Sequence, residues 1–216
     1  MFLFKKNDTL SAQEQMLKYM NEKYNEDFKP GLCEMANWAY SYDSMTVYSD
    51  KFPGEFIQVY RYNEKEFKDN YLAFLFREEV EKKVQEIVES LFGKCVVIMH
   101  ISNLPVKGNL TKDASLNDYL ENASSMNNLY IYLENYDSSK DYKECIKKLQ
   151  VQFMNNLLPR EFNLRFLKKN MLLEEITRES ENMILDKVGE ESWFVKKAYF
   201  CFQEDYKLDE SELDQL

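Results

Sequence analysis

Glycine is scarce in this chain of 216 residues: there are 5, at positions 31, 54, 93, 108 and 189, and none is close to another. A phosphate cradle needs clustered glycines so that backbone N–H groups can approach the ligand. Walker-type nucleotide hydrolysis and dinucleotide binding are therefore excluded as expectations. Proline is as rare, with 4 residues, so little material exists for flexible linkers. The chain reads as one continuous domain over 1–203, with a seam, if there is one, near 103–115. The 4 cysteines, Cys33, Cys95, Cys145 and Cys201, form no C-x-x-C, which suits neither a zinc knuckle nor a redox pair. Each lies in an apolar stretch and reads as a small buried hydrophobe of a reduced compartment, long-range disulfides being the alternative for an exported protein. No apolar run approaches the ~20 residues that span a bilayer. The opening Met1-Phe-Leu-Phe-Lys-Lys6 reverses the charge order of a signal peptide. The expectation is a soluble cytoplasmic protein, or a cell-envelope one if a leader has been removed.

What the chain does have is acid. A formal net charge of -10 opposes nucleic-acid backbones and anionic membranes, which both require a positive surface. The lysine pairs Lys147-Lys148 and Lys168-Lys169 stand among carboxylates and apolar residues and read as solvated faces. A partner, if there is one, is expected to be a basic protein; no nucleic acid and no membrane span are expected, and oligomeric state is left open.

Hydrophobic spacing predicts an α+β fold, mostly antiparallel sheet packed by amphipathic helices. Ser11-Ala-Gln-Glu14 is a capping box, and Met16, Leu17, Met20 and Tyr24 follow it at helical spacing. Between Gly31 and Tyr62 the period shifts to two, and Pro53-Gly54 predicts a hairpin joining 44–49 to 55–62. A further strand is expected over Tyr71 to Phe76. The stripe Val80, Val84, Ile87, Val88 and Leu91 predicts a helix from Glu78 that Gly93 ends. The β-branched run Cys95 to Ile101 is apolar on both faces and reads as a central strand. Ser115-Leu-Asn-Asp118 opens a short helix; 129–134 and 162–167 read as strands, 138–155 and 171–188 as helices. Trp193 to Phe202 reads as a buried strand. Residues 204–216 hold 6 carboxylates against one lysine and are expected to fray.

Catalytic inventory is thin. His100 is the sole imidazole, at the end of a strand beside a loop, where it could serve as a general base. No G-x-S-x-G elbow accompanies it, so a hydrogen-bonded rim histidine is the plainer reading. Glu78, Glu79, Glu81, Glu86 and Glu89 read as the wet side of a helix. No calcium-loop pattern occurs, and no metal and no cofactor is expected. The most unusual feature is aromatic. Trp38, Tyr40 and Tyr42 share a face if extended, with Tyr48, Tyr60 and Tyr62 on neighbouring strands. Such a stripe binds partners through rings with polar tips, or else packs a half-buried sheet. The candidate binding residues are thus Trp38, Tyr40, Tyr42, Tyr60 and His100, with no catalytic residue assigned.

Three stretches resemble a loose group of uncharacterised Gram-positive bacterial proteins: Met16-Leu-Lys-Tyr-Met-Asn-Glu-Lys-Tyr-Asn-Glu-Asp-Phe28, Ser49-Asp-Lys-Phe-Pro-Gly54 and 71–93. The resemblance covers roughly the first half and brings no activity, ligand or catalytic residue. Some members carry a lipoprotein leader that this chain lacks. Acidity and missing chemistry together favour a non-catalytic interaction protein of adaptor or immunity type. The alternatives are a small hydrolase using His100 or a carboxylate pair, and a truncated envelope lipoprotein domain.

Overall fold

The computed structural model describes residues 10–122, 127–181 and 193–216. Its two four-stranded sheets, one wholly antiparallel and one mixed, with helices beside them, make an α+β fold. The chain divides into two compact units: 1–74 with 103–115, and 75–102 with 116–216. The 103–115 segment expected to be a seam is counted with the first unit.

The first unit is a helix on a meander. Helix α1 (Ala12–Tyr24) starts at Ser11, where the capping box forms: the Ser11 Oγ accepts from the Glu14 N–H and the Glu14 carboxylate accepts from the Ser11 N–H. It ends at Asn25, whose left-handed φ of 51° an asparagine tolerates. Met16, Met20 and Tyr24 face inward. They meet β1 (Lys29–Glu34), β2 (Asp43–Tyr48) and β3 (Ile57–Asn63), where Met45, Val47, Ile57 and Val59 are buried. Strand β4 (Glu66–Asp69) completes the order β1-β2-β3-β4. The hairpin across Pro53-Gly54 pairs Thr46 with Gln58 and Ser44 with Tyr60. Gly31 permits close packing on β2, because a Cβ there would stand 2.7 Å from the Tyr48 ring.

The expected strand over Tyr71 to Phe76 is instead the start of α2 (Tyr71–Phe92). Aromatic and leucine residues favour strands where one face is exposed, but Tyr71, Leu72, Ala73, Phe74 and Phe76 are all buried. A helix buried all round carries no amphipathic signature. Farther along, Val80, Val84 and Val88 are buried as the stripe predicts, and Gly93, at φ 94°, closes the helix.

The second unit holds β5 (Cys95–His100), α3 (Leu116–Asn122), β6 (Asn128–Leu133), α4 (Tyr142–Asn155), β7 (Glu161–Leu167) and β8 (Phe194–Cys201). Strand order is β5-β6-β7-β8, with β6 and β7 parallel and joined through α4. Asp141 caps α4 by accepting from the Glu144 N–H, and Tyr142, Ile146, Leu149 and Phe153 face inward. On one sheet face Ile98, Tyr132, Leu167 and Phe194 pack with Leu173 and Ile176. Strand alternation turns Val97, Met99, Leu129 and Ile131, also buried, to the other face.

Further expectations need correction here. Strand β5 is an edge, not the centre: among the described residues it pairs with β6 alone. A continuous apolar run reports burial of both faces, not rank in the hydrogen-bonding order. At Met99 side chains take the place of the missing strand: its N–H donates to Glu81 Oε1 at 2.6 Å and its C=O accepts from Arg178 at 3.0 Å. Glu81 is therefore removed from the set of wet helix carboxylates. Strand β8 is half-exposed, with Val195, Lys197 and Tyr199 on its open side. Residues 204–216 do not fray: Glu210–Gln215 form a 3-10 helix with Leu213 buried. The Gln215 carboxamide accepts from the Tyr199 N–H at 2.8 Å and donates to the Tyr199 C=O at 2.7 Å. Side-chain amides stand in for the next strand, which composition alone cannot reveal. Of the helix expected over 171–188, the first part is a 3-10 turn at Leu173–Glu175, residues 178–181 are helical, and the rest lies outside the described residues.

Among the described residues no helix is long and apolar enough to cross a membrane. All four cysteines are free, and Cys95 is buried.

Candidate functional site

The expected binding residues separate into two places. Trp38, Tyr40, Tyr42 and Tyr60 belong to the first unit and His100 to the second.

Trp38 and Tyr40 lie on the β1–β2 connection, not on a strand as the shared-face reading assumed. Trp38 is 99% exposed and Tyr40 56%. The connection is fixed from within. The Asn37 carboxamide oxygen accepts from the Ala39 and Tyr40 N–H groups at 2.8 and 3.3 Å, and the Asn37 N–H donates to the Tyr40 C=O at 2.9 Å. This is the local asparagine turn that competes with a strand ladder. At its base the Ala36 N–H donates to Asp43 at 2.8 Å, and Arg61 clamps that buried carboxylate at 2.7 Å through Nε. Tyr42, just before β2, links the tyrosine rings. Its ring centroid stands 5.5 Å from Tyr40, 5.3 Å from Tyr60 edge-on and 5.6 Å from Tyr62. Tyr60 is buried and donates its hydroxyl to the Asn103 C=O at 2.6 Å; burial pushes its phenol up to about 12. The ring series thus runs from a pinned core tyrosine outward to Tyr40, with the exposed Trp38 on the same connection. It can offer flat apolar area with polar tips at little cost in side-chain order.

Behind this surface sits an anchor that sequence reading missed. The Asp69 side chain, 1% exposed, accepts from Tyr19 at 2.8 Å, Tyr24 at 2.7 Å, Lys23 at 2.7 Å and the Tyr71 N–H at 2.9 Å. Burial, then the Asp69 charge, drives both phenols far above the ordinary tyrosine range. Position 69, just before a helix and rich in acceptor capacity, was the available signal.

His100 closes β5 in the second unit. Its Nε2 stands 2.6 Å from Glu181, a carboxylate 1% exposed, which also accepts from the Tyr132 hydroxyl. With the carboxylate as acceptor, Nε2 carries the imidazole proton. Arg165, buried, donates to the Tyr132 hydroxyl at 3.3 Å and stacks 4.3 Å from the Tyr130 ring, which in turn lies 4.5 Å from the imidazole. Burial and the Glu181 charge push the Tyr132 phenol well above its usual range. Such a dyad holds and orients a proton. Glu181 is the hydrogen-bond partner of His100, and among the described residues no serine, threonine or cysteine hydrogen-bonds to the imidazole. Nothing in the sequence marked Glu181, since the pairing spans 81 residues. Among the described residues, no group of three or more His, Cys, Asp or Glu side chains could hold a metal ion.

No protein-family model and no curated protein matches the chain. It is similar to a solved structure, a DUF5037 family protein from Ruminococcus gnavus ATCC 29149. The two share 13% identity over 95% of this chain and 97% of that one, at a TM-score of 0.45. That neighbour belongs to an uncharacterised family, and no residue role passes to this chain from it.

Proposed function

We propose that this chain is a non-catalytic interaction domain, of adaptor or immunity type, that docks a basic protein through the Trp38–Tyr42 loop and the tyrosines behind it. The observation that carries the reading is Trp38: an indole 99% exposed on a loop tied down by Asn37 and Asp43. Aromatic side chains dominate interface energetics because they bury large area with few torsions to freeze. A disordered loop would lose that advantage, and this one is held by side-chain hydrogen bonds before any partner arrives. Leu32 and Met35, on the same stretch of chain, are also exposed. The net charge of -10 favours a basic partner and speeds its approach at low ionic strength.

The test is a pull-down from a bacterial lysate at low and moderate salt with the wild-type chain and Trp38→Ala. The expected result is one protein partner, retained less at moderate salt and lost in the variant by a factor of about 30 or more, the usual cost of truncating a hot-spot residue. Equal capture by both chains would remove the loop from the interface.

A further inference from the structure

Apart from the exposed loop and the buried Asp69 anchor, the first unit carries a concave feature. Between α1 and the β3–β4 turn lies an open groove of about 400 Å³. One wall is aromatic: Tyr19 and Phe67 stack with centroids 5.1 Å apart and planes 19° from parallel. That wall cannot swing away, because the Tyr19 hydroxyl is tied to the buried Asp69 at 2.8 Å. The rim is acidic. Glu22 and Glu64 line the groove, and among the described residues Glu64 has no ion-pair partner. Among the described residues Lys18 is the one cation of the lining, and it stands 3.7 Å from Glu22 in a solvent-exposed pair. Gln15 also lines it, its carboxamide already engaged: the oxygen accepts from Arg61 at 3.0 Å and the nitrogen donates to the Leu10 C=O at 2.7 Å.

We infer that this groove receives an arginine side chain of the basic partner. The guanidinium is planar and weakly hydrated, so it can lie against the Phe67 ring while its fork of N–H donors reaches a carboxylate, whereas an ammonium offers only a point charge. Glu64 supplies the carboxylate. Glu22 supplies a second once Lys18 gives way, which a loose surface pair does at small cost. The inference rests on the docking reading above and adds the chemistry of one contact to it. It also gives the excess of acid on this chain a local role: long-range charge steers the partner, and the groove recognises one of its cations.

Titrating the isotope-labelled full chain with Nα-acetyl-arginine amide, followed by NMR, tests this. The citrulline counterpart, which keeps the shape and loses the charge, is the control. Shifts are expected at Tyr19, Phe67 and Glu64, and none with citrulline. Glu64→Gln, exposed and so harmless to folding, is expected to weaken binding about threefold, as for a partly screened ion pair. Lys18→Gln is expected to tighten it by removing the competitor. Equal binding of the citrulline compound, or a loss with Glu210→Gln as large as with Glu64→Gln, would overturn the inference. The two proposals fail separately. Absent arginine shifts with intact, Trp38-dependent partner capture sink the groove alone; arginine shifts that persist beside capture indifferent to Trp38→Ala sink the docking loop alone.

Discussion

The two units solve the same problem, a four-stranded sheet with free edges, in different ways. In the second, Glu81 and Arg178 take up the outer backbone groups of Met99 on β5, and Gln215 and Glu212 those of Tyr199 and the Cys201 N–H on β8. In the first, β4 is short, β1 opens on Pro30 and Gly31, and the connection beside β1 holds up an uncovered indole. The most deeply buried carboxylates of the two units differ in their partners: Asp69 is held by a lysine, two phenols and a backbone N–H, while Glu181 is held by a phenol and a half-exposed imidazole. Unpaired strand edges invite association, so side-chain capping marks a surface kept to itself. The same molecule leaves large aromatics exposed on the other unit, and that contrast, more than any one residue, points to where a partner docks.

Removing the better-held carboxylate should produce the largest effect. Asp69→Ala leaves Lys23, Tyr19 and Tyr24 without their acceptor and is expected to cost about 3–5 kcal/mol in urea unfolding. Glu181→Ala is expected to cost less, about 2–3 kcal/mol, because His100 can turn to water. A reversed ranking would break the comparison of the two anchors.

Alkaline pH acts on both units. Burial, first among the causes, raises Tyr119 and Tyr60 to about 12 from the ordinary 10.0, and Tyr24 and Tyr132 farther. A raised folded pKa means that the folded chain binds protons the unfolded one has lost. Its stability contribution is complete below pH 10 and disappears as pH climbs through 12. Urea midpoints should hold steady up to pH 9 or so and fall beyond pH 10, with phenolate absorbance lagging that of the unfolded chain. Midpoints unchanged far above that range would mean that these phenols ionise alike in both states.

A smaller effect sharpens the edge contrast. Gln215→Ala removes the carboxamide that pairs with Tyr199 and should cost about 1 kcal/mol or less. Its informative consequence is association: sedimentation should detect concentration-dependent self-pairing through the uncovered β8 edge. A variant that stays as dispersed as the wild type would show that the cap is incidental.

Local signals were legible and long-range pairings were not. The Ser11 capping box, the Val80 to Val88 stripe and the Tyr142 to Phe153 face are written in spacings of three and four, which helix geometry fixes. The rank of β5 depends on where β6 and β8 fall, and no residue of Cys95 to His100 encodes that. Tyr71 to Phe76 misled because complete burial erases periodicity. Of the candidate site, the rings at 38, 40, 42 and 60 were visible as composition. Their division into an exposed tip and a pinned base depended on Asn37, Asp43 and Asn103. Asp69, Glu181 and the Tyr19–Phe67 groove join residues distant in sequence, so only the folded chain brings them together.

Trp38 itself tests the docking reading most directly. In a Trp193→Phe background it is the sole tryptophan; position 193 packs against the cluster of Ile98 and Tyr132, so the aromatic replacement is expected to cost about 1 kcal/mol. Its emission in the free chain should be that of a water-exposed indole, fully open to acrylamide, and should shift to the blue and become shielded when the captured partner is added. A shielded indole in the free chain, or an emission and quenching unchanged by the partner, would contradict the claim that this loop is the docking surface.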